Sequence, residues 1–399
     1  MPSLNETPSG ERIHIGFFGK RNAGKSSLLN AITGQDIAIV SDIPGTTTDP
    51  VMKSMEILPL GPVVLIDTPG LDDDGELGEM RIKKARQIIN RCDIAIIVVD
   101  AVTGADNTEK QLTDLCKAKN LPCVTVINKC DLLSETDIVA FPSDAITVSA
   151  KKRIGIHELK EKIGGLLTDR KNNREIIGDL IKSGDFVVLV TPIDASAPKG
   201  RLILPQQQTI RNILDHGGIC VVAKDTELET VLAKLGTAPA MVVTDSQVFG
   251  KVMRIVPPDI PLTSFSILFA RYKGLLQSAI TGVKALDSLN DGDTVLISEG
   301  CTHHRQCGDI GTVKLPRKIC EYTRKKPNFI FSSGGEFPAD LTGVKLVIHC
   351  GGCMLNEREM QYRIQCAADA GVPITNYGTA IAKMNGILER SLAPLQIKL

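Results

Sequence analysis

An eight-residue run, Gly19-Lys20-Arg21-Asn22-Ala23-Gly24-Lys25-Ser26, lies between the apolar stretch Ile13–Phe18 and a segment of helical pattern. Strand, glycine-rich turn and helix in that order make a phosphate-binding loop, and such a loop sits in a doubly wound α/β sheet. Glycine lets backbone N–H groups close on phosphate oxygens with no Cβ in the way. In this arrangement Lys25 reaches the β- and γ-phosphates and the Ser26 hydroxyl holds Mg²⁺. One such match is weak on its own, so its companions decide.

Asp67-Thr68-Pro69-Gly70 follows a second apolar run, which brings a carboxylate toward Mg²⁺ and Gly70 toward the γ-phosphate. Asn128-Lys129-Cys130-Asp131 follows a third. An ionised Asp131 only accepts hydrogen bonds, so it suits the N1–H and amino group of guanine and disfavours adenine. Ser149-Ala150-Lys151, in the next loop, packs on the base. Thr46, Thr47 and Thr48 follow Pro44-Gly45, and Thr47 is the expected switch threonine for Mg²⁺. Motifs in this order and spacing predict a GTP site. Lys25, Thr47, Asp67 and Gly70 are expected to carry hydrolysis. Gly19, Asn22, Gly24, Lys25, Ser26, Asn128, Lys129, Asp131, Ser149, Ala150 and Lys151 are expected to hold the nucleotide.

Short apolar runs alternate with helical stretches along the whole chain, which predicts three α/β domains. Runs at 13–18, 63–66, 94–100, 123–128 and 146–148 read as strands of a mostly parallel sheet in a GTPase domain over residues 10–170. A polar segment at 168–173 is the first linker. Strands at 186–190, 219–223 and 241–243 then predict a small α/β domain over 178–262. Between the last two, Leu228, Val231, Leu232 and Leu235 repeat at helical spacing and stop at Gly236. That domain holds no convergent polar set and reads as an assembly module. The third domain, 263–399, has a helix carrying Leu275, Leu276, Ala279, Ile280, Val283 and Leu286 on one stripe. Its strands are expected at 294–298, 328–331 and 344–348, and its closing helices at 356–370 and 379–391.

The third domain also holds Cys301-x-His303 and, 45 residues later, His349-Cys350-x-x-Cys353. Both segments follow predicted strands, and ligands gather at the carboxyl ends of parallel strands. Gly351 and Gly352 permit a tight turn with N–H groups facing sulfur, and a helix starting near Asn356 offers a positive dipole end. Cys301, Cys350 and Cys353 with a weaker fourth ligand fit either a structural zinc or a 4Fe-4S cluster with one labile corner. His303 and His349 are candidate ligands or hydrogen-bonding partners of ligands. Cys307 reads as structural, as do Cys92, Cys116, Cys123 and Cys220, which adjoin apolar segments. The basic stretch from Lys314 to Lys326 reads as a solvated face.

Composition excludes several classes. Lys+Arg and Asp+Glu balance at 46 each, and the chain has no Trp and four Tyr. Neither a basic field nor a stacking platform for nucleic acid is available. The first eleven residues have no apolar signal core, and the longest apolar run, residues 94–99, is far too short to span a bilayer. The expected location is the cytoplasm, where eleven cysteines do not form a disulfide framework.

The GTPase motifs resemble the TrmE–Era group. Leu71 follows Gly70 where Ras-like enzymes carry a glutamine, and Asn22 matches the position that holds K⁺ in potassium-activated members. The resemblance implies slow intrinsic hydrolysis stimulated by potassium. With Cys301, His303, His349, Cys350 and Cys353 added, the full length resembles the FeFe-hydrogenase maturation GTPases of the HydF family. That resemblance implies a homodimeric scaffold holding a 4Fe-4S cluster through the three cysteines, with GTP, Mg²⁺ and K⁺. It implies further that a di-iron carbonyl/cyanide precursor arrives from radical-SAM maturases and passes to the apo FeFe-hydrogenase. Competing readings are a zinc-stabilised regulatory GTPase and a tRNA-modification GTPase.

Overall fold

The computed structural model describes residues 7–34, 51–58, 60–70, 85–133, 144–166, 174–193, 202–300, 309–334, 337–338 and 340–397. The chain divides into two compact units, Met1–Asn172 and Asn173–Leu399.

In the first unit β1 (Ile13–Phe18), β2 (Val51–Ile57), β3 (Gly61–Asp67), β4 (Ile94–Asp100), β5 (Cys123–Asn128) and β6 (Ile146–Val148) form one sheet in the order β2-β3-β1-β4-β5-β6. All neighbours run parallel except β2 against β3. β4 is apolar and buried from Ile94 to Val99, as a strand covered on both faces must be. β2 was not anticipated. Its residues alternate between half-buried and exposed up to Ile57, the pattern of an edge strand with one wet face, so it offers no continuous apolar run. The helix Asn107–Ala118 starts on a reciprocal cap, Asp106 accepting from Thr108 N while Glu109 accepts from Asp106 N.

The second unit contains two four-stranded parallel sheets. β7 (Phe186–Val190), β8 (Ile219–Ala223), β9 (Met241–Thr244) and β10 (Leu262–Ser264) are ordered β10-β9-β7-β8. β11 (Thr294–Glu299), β12 (Asn328–Ser333), β13 (Val344–His349) and β14 (Ile374–Asn376) are ordered β12-β11-β13-β14. The expected division between residues 262 and 263 falls inside β10, which pairs with β9 through Leu262–Val242 and Thr263–Val243. Three residues between Pro261 and a helix were too short to read as a strand.

One hydrophobic core runs through both sheets, from Val187 and Val242 to Leu296 and Ile348. The helices Phe265–Tyr272 and Leu276–Gly282 knit it together. Thr375 Oγ1 donates to Ala279 O at 2.9 Å, and Asn376 Nδ2 donates to Ser266 O at 2.9 Å. Gly378 packs so closely on Ser266 that a Cβ there would lie 2.6 Å from the serine Cβ.

The apolar stripe from Leu275 to Leu286 is buried throughout, but the α-helix ends at Gly282 and residues 283–288 continue as a 3₁₀ helix. The helix expected over 379–391 is two helices, Tyr377–Met384 and Leu388–Leu392. Gly386, at φ +70°, lies in the left-handed region and ends the first. The polar helix Leu204–Asp215 and the three-residue β14 also escaped the sequence pattern. Among the described residues no helix is long and apolar enough to cross a membrane.

Candidate functional site

The nucleotide motifs occupy the carboxyl ends of β1, β3, β5 and β6. After β1 the chain turns through Gly19 and Asn22, both at positive φ, into Gly24 at φ +87°. A Cβ on Gly24 would lie 2.2 Å from Asn128 Nδ2, so only glycine fits. Asn128 explains the crowding. It donates to Ala23 O at 3.0 Å and accepts from Ala150 N at 3.1 Å, tying the phosphate loop to the Ser149–Lys151 turn.

Lys25 is 6% exposed, and its ammonium donates to Gly19 O at 3.0 Å and Lys20 O at 2.6 Å. The loop thus encloses its own cation. The Ser26 hydroxyl donates to Asp67 Oδ2 at 2.6 Å, while Asp67 Oδ1 is buried with no hydrogen-bond partner. Burial raises the Asp67 carboxyl above its ordinary value, with the Ser26 hydroxyl and the Lys25 charge opposing. An orphaned carboxylate oxygen beside a serine hydroxyl and a lysine is a donor set suited to Mg²⁺ and phosphate. Gly70 sits against the Arg21 backbone, where a Cβ would come within 2.6 Å of the Arg21 Cα.

At the base-binding end, the Ser149 hydroxyl donates to Asp131 Oδ1 at 2.6 Å, and that bond holds the carboxyl below its usual range. Asp131 is therefore ionised and accepting at neutral pH, as guanine requires. Lys129, at φ +68°, pairs with Asp100 Oδ2 at 2.6 Å at the end of β4. The structure brings together every expected nucleotide residue except Thr47, which lies outside the described residues, as does Leu71. Asn22 is exposed at the loop tip.

In the second unit β11 and β13 are neighbours, with Ser298 opposite His349. Their carboxyl ends deliver Gly300 and Cys350 to one point. Gly300 N donates to Cys350 Sγ at 3.1 Å and Gly352 N to the same sulfur at 3.4 Å. Two backbone donors on one sulfur stabilise negative charge there. Cys353 is half-buried, and burial pushes its thiol up to about 12, the Cys350 charge adding and Lys273 opposing. Lys273 is only 3% exposed. Tyr377 Oη donates to Glu299 Oε1 at 3.0 Å beside this loop.

Cys301, His303 and Cys307 lie outside the described residues. Among the described residues no group of three or more His, Cys, Asp or Glu is gathered as a metal would need. His349 is described and fully enclosed. Nδ1 lies 2.7 Å from Cys350 O and Nε2 lies 2.9 Å from Arg363 Nη1. Both ring nitrogens considered for ligation therefore have protein partners. The helix expected near Asn356 begins at Glu357, but Asn356 Oδ1 takes its Glu359 N–H at 3.0 Å and Glu357 and Glu359 occupy the first turn. Its dipole is answered by the protein's own groups.

Sequence reasoning missed Arg363, Glu359, Ser298, Lys273 and Tyr377 around this loop. Glu359 and Arg363 are four apart on a helix, a spacing that ordinarily marks a solvent-facing ion pair. No local signal marks the pair as buried.

Family models place this geometry. Residues 176–274 match the hydrogen maturase F dimerization domain and 277–394 the hydrogen maturase F tetramerization domain, together more than half of the chain. Residues 14–129 match the 50S ribosome-binding GTPase family. The tRNA modification GTPase MnmE of Desulforamulus reducens is 37% identical over 161 residues, 38% of this chain and 34% of that protein. GTPase Der of Kosmotoga olearia is 35% identical over 170 residues, 38% of each chain. The chain thus spans about a third of the length of the curated relatives it matches. Among solved structures, Aquifex aeolicus Era bound to GDP·AlF4⁻ matches with a TM-score of 0.36 at 20% identity, covering 61% of this chain and 97% of that one. With a P-loop GTPase domain followed by both of those assembly domains, the chain belongs to the hydrogen maturase F family.

Proposed function

We propose that this protein is a GTP-hydrolysing scaffold of hydrogenase maturation. In this reading it holds a 4Fe-4S cluster through Cys301, Cys350 and Cys353. There it receives a di-iron carbonyl/cyanide precursor from radical-SAM maturases and delivers it to apo FeFe-hydrogenase in the cytoplasm. The three-domain division, the homodimer and the absence of nucleic-acid partners belong to the same reading. The observation that carries it is the sulfur of Cys350 under two backbone N–H donors, at the strand ends from which Cys301 follows two residues after β11.

In the GTPase unit, nucleotide binding exchanges the two carbonyl partners of Lys25 for phosphate oxygens. Ser26, Asp67 and Thr47 would hold Mg²⁺, which neutralises charge on the β- and γ-phosphates, and Asn22 would hold K⁺. Asp131 reads the base and Gly70 the γ-phosphate. At the cysteine loop, Cys301, Cys350 and Cys353 would hold the cluster, which when bound would supply an exchangeable site for a cyanide-type ligand. This chain's contribution is uneven: the Gly300 and Gly352 N–H groups favour the thiolate of Cys350, whereas burial holds Cys353 as a thiol against the opposing Lys273 charge, so ligation there would displace its proton.

Anaerobic reconstitution with iron and sulfide, followed by EPR after reduction, tests the proposal. The parent should become coloured and show a reduced-cluster signal. Cys301→Ala, Cys350→Ala and Cys353→Ala should lose it while keeping GTP hydrolysis. A colourless parent loaded only with zinc would favour the regulatory GTPase instead. The second unit matches the hydrogen maturase F assembly domains, which favours hydrogenase maturation over tRNA modification.

A further inference from the structure

Arg363 has no exposure to solvent, and of five contacts at its guanidinium two go to Glu359 on its own helix and three to the strand ends around the cysteine loop. Nε and Nη2 donate to Glu359 Oε1 at 3.0 and 2.8 Å. Nη2 donates to Gly334 O at 2.6 Å, just past β12. Nη1 donates to Ser298 Oγ on β11 at 3.3 Å and meets His349 Nε2 on β13 at 2.9 Å. The guanidinium also lies 5.3 Å from the centre of the Phe337 ring. One side chain therefore pins three adjacent strands at the end where Cys350 emerges.

The hydrogen bonds dictate the state of the imidazole. A guanidinium only donates, so His349 Nε2 must accept and carries no proton. A carbonyl only accepts, so the proton sits on Nδ1 and points to Cys350 O. We infer that Arg363 is a positioning residue for the Cys350–Cys353 loop: it holds His349 as the Nδ1–H tautomer, which keeps the imidazole off the metal and anchors the carbonyl of Cys350. His349 then orients the residue that binds and is not itself a ligand. The purpose assigned to this relay rests on the cluster-binding proposal, but the tautomer itself does not.

The test starts from metal-free wild-type protein labelled with ¹⁵N-histidine, with His349 assigned by its absence in His349→Asn. At neutral pH the ring should show a protonated Nδ1 and a bare Nε2. A proton on Nε2, or on both nitrogens, would overturn the inference whatever the protein does with iron. Reconstituted protein supplies the second readout. Cluster retention against a chelator should fall about 10–100-fold in Arg363→Gln, as for other residues that orient metal ligands. Arg363→Lys, which keeps the charge and a donor, should restore most of it. Retention in Arg363→Gln equal to wild type would overturn the positioning role. So would a directly bound nitrogen, seen by hyperfine spectroscopy of the reduced cluster, that vanishes in His349→Asn. If Arg363→Gln does not fold, the wild-type tautomer and the Arg363→Lys comparison still decide. A wild type that never takes up a cluster sinks the proposed function, and the tautomer then judges Arg363 alone.

Discussion

The nucleotide site and the thiolate loop both sit at the carboxyl ends of parallel strands, yet they are built in opposite ways. At the nucleotide site the working atoms lie in short contiguous motifs, where Asp67 Oδ1 is buried with no hydrogen-bond partner and Lys25 is turned onto its own loop. At the thiolate loop the cysteines are only the surface of a structure held from behind. Arg363 and Ser298, 65 residues apart, support it from positions that no motif marks. The nucleotide site keeps its groups at the front, whereas the cysteine loop is braced by its buried layer.

Substitutions should expose this difference. Arg363→Met takes the guanidinium away from the buried Glu359 carboxylate, and should cost the second unit about 3–5 kcal/mol. Chemical denaturation should show the loss in that unit while GTP binding stays near wild type. If both units weaken equally, the bracing is not local. Lys25→Ala should lower kcat/KM for GTP by about 10²–10³, the usual effect of deleting one donor aimed at developing charge. Steady-state phosphate release checks this, and iron content should be unchanged.

Asp131→Asn replaces an acceptor-only group by one that also donates. Guanine affinity should fall by about 1.5–3 kcal/mol, the range for hydrogen bonds to charged groups. Xanthine nucleotides, which offer a carbonyl in place of the amino group, should lose less; equal losses in nucleotide titrations would argue that Asp131 does not read the base. Smallest is Asp106→Ala, which removes a helix cap together with an ion pair to Lys20 of the phosphate loop and should lower stability of the first unit by about 1 kcal/mol in thermal melts.

Much of this was legible from local pattern. β1, β4, β5, β6 and β7 matched their apolar runs because strands buried on both faces are continuous in sequence, and β8 matched although Ile219 and Val222 are exposed. β2 was hidden by its wet face, and β10 and β14 by running after three residues directly into the helices that follow them. The nucleotide residues were legible because their chemistry needs fixed spacing along the chain. Arg363 was not, because a buried ion pair and an exposed one have the same spacing on a helix, and only the long-range packing against Ser298, Gly334 and Phe337 tells them apart.

The continuity of the core across both sheets of the second unit carries a mechanical consequence. Val187, Leu268, Ile297 and Ile348 belong to one packed body, so a load on the β7–β10 sheet is felt as stiffness at the β11–β14 sheet. Assembly of subunits through the first sheet would then be registered at the sulfurs without any hinge, as slower exchange of the amide hydrogens at Gly300 and Gly352.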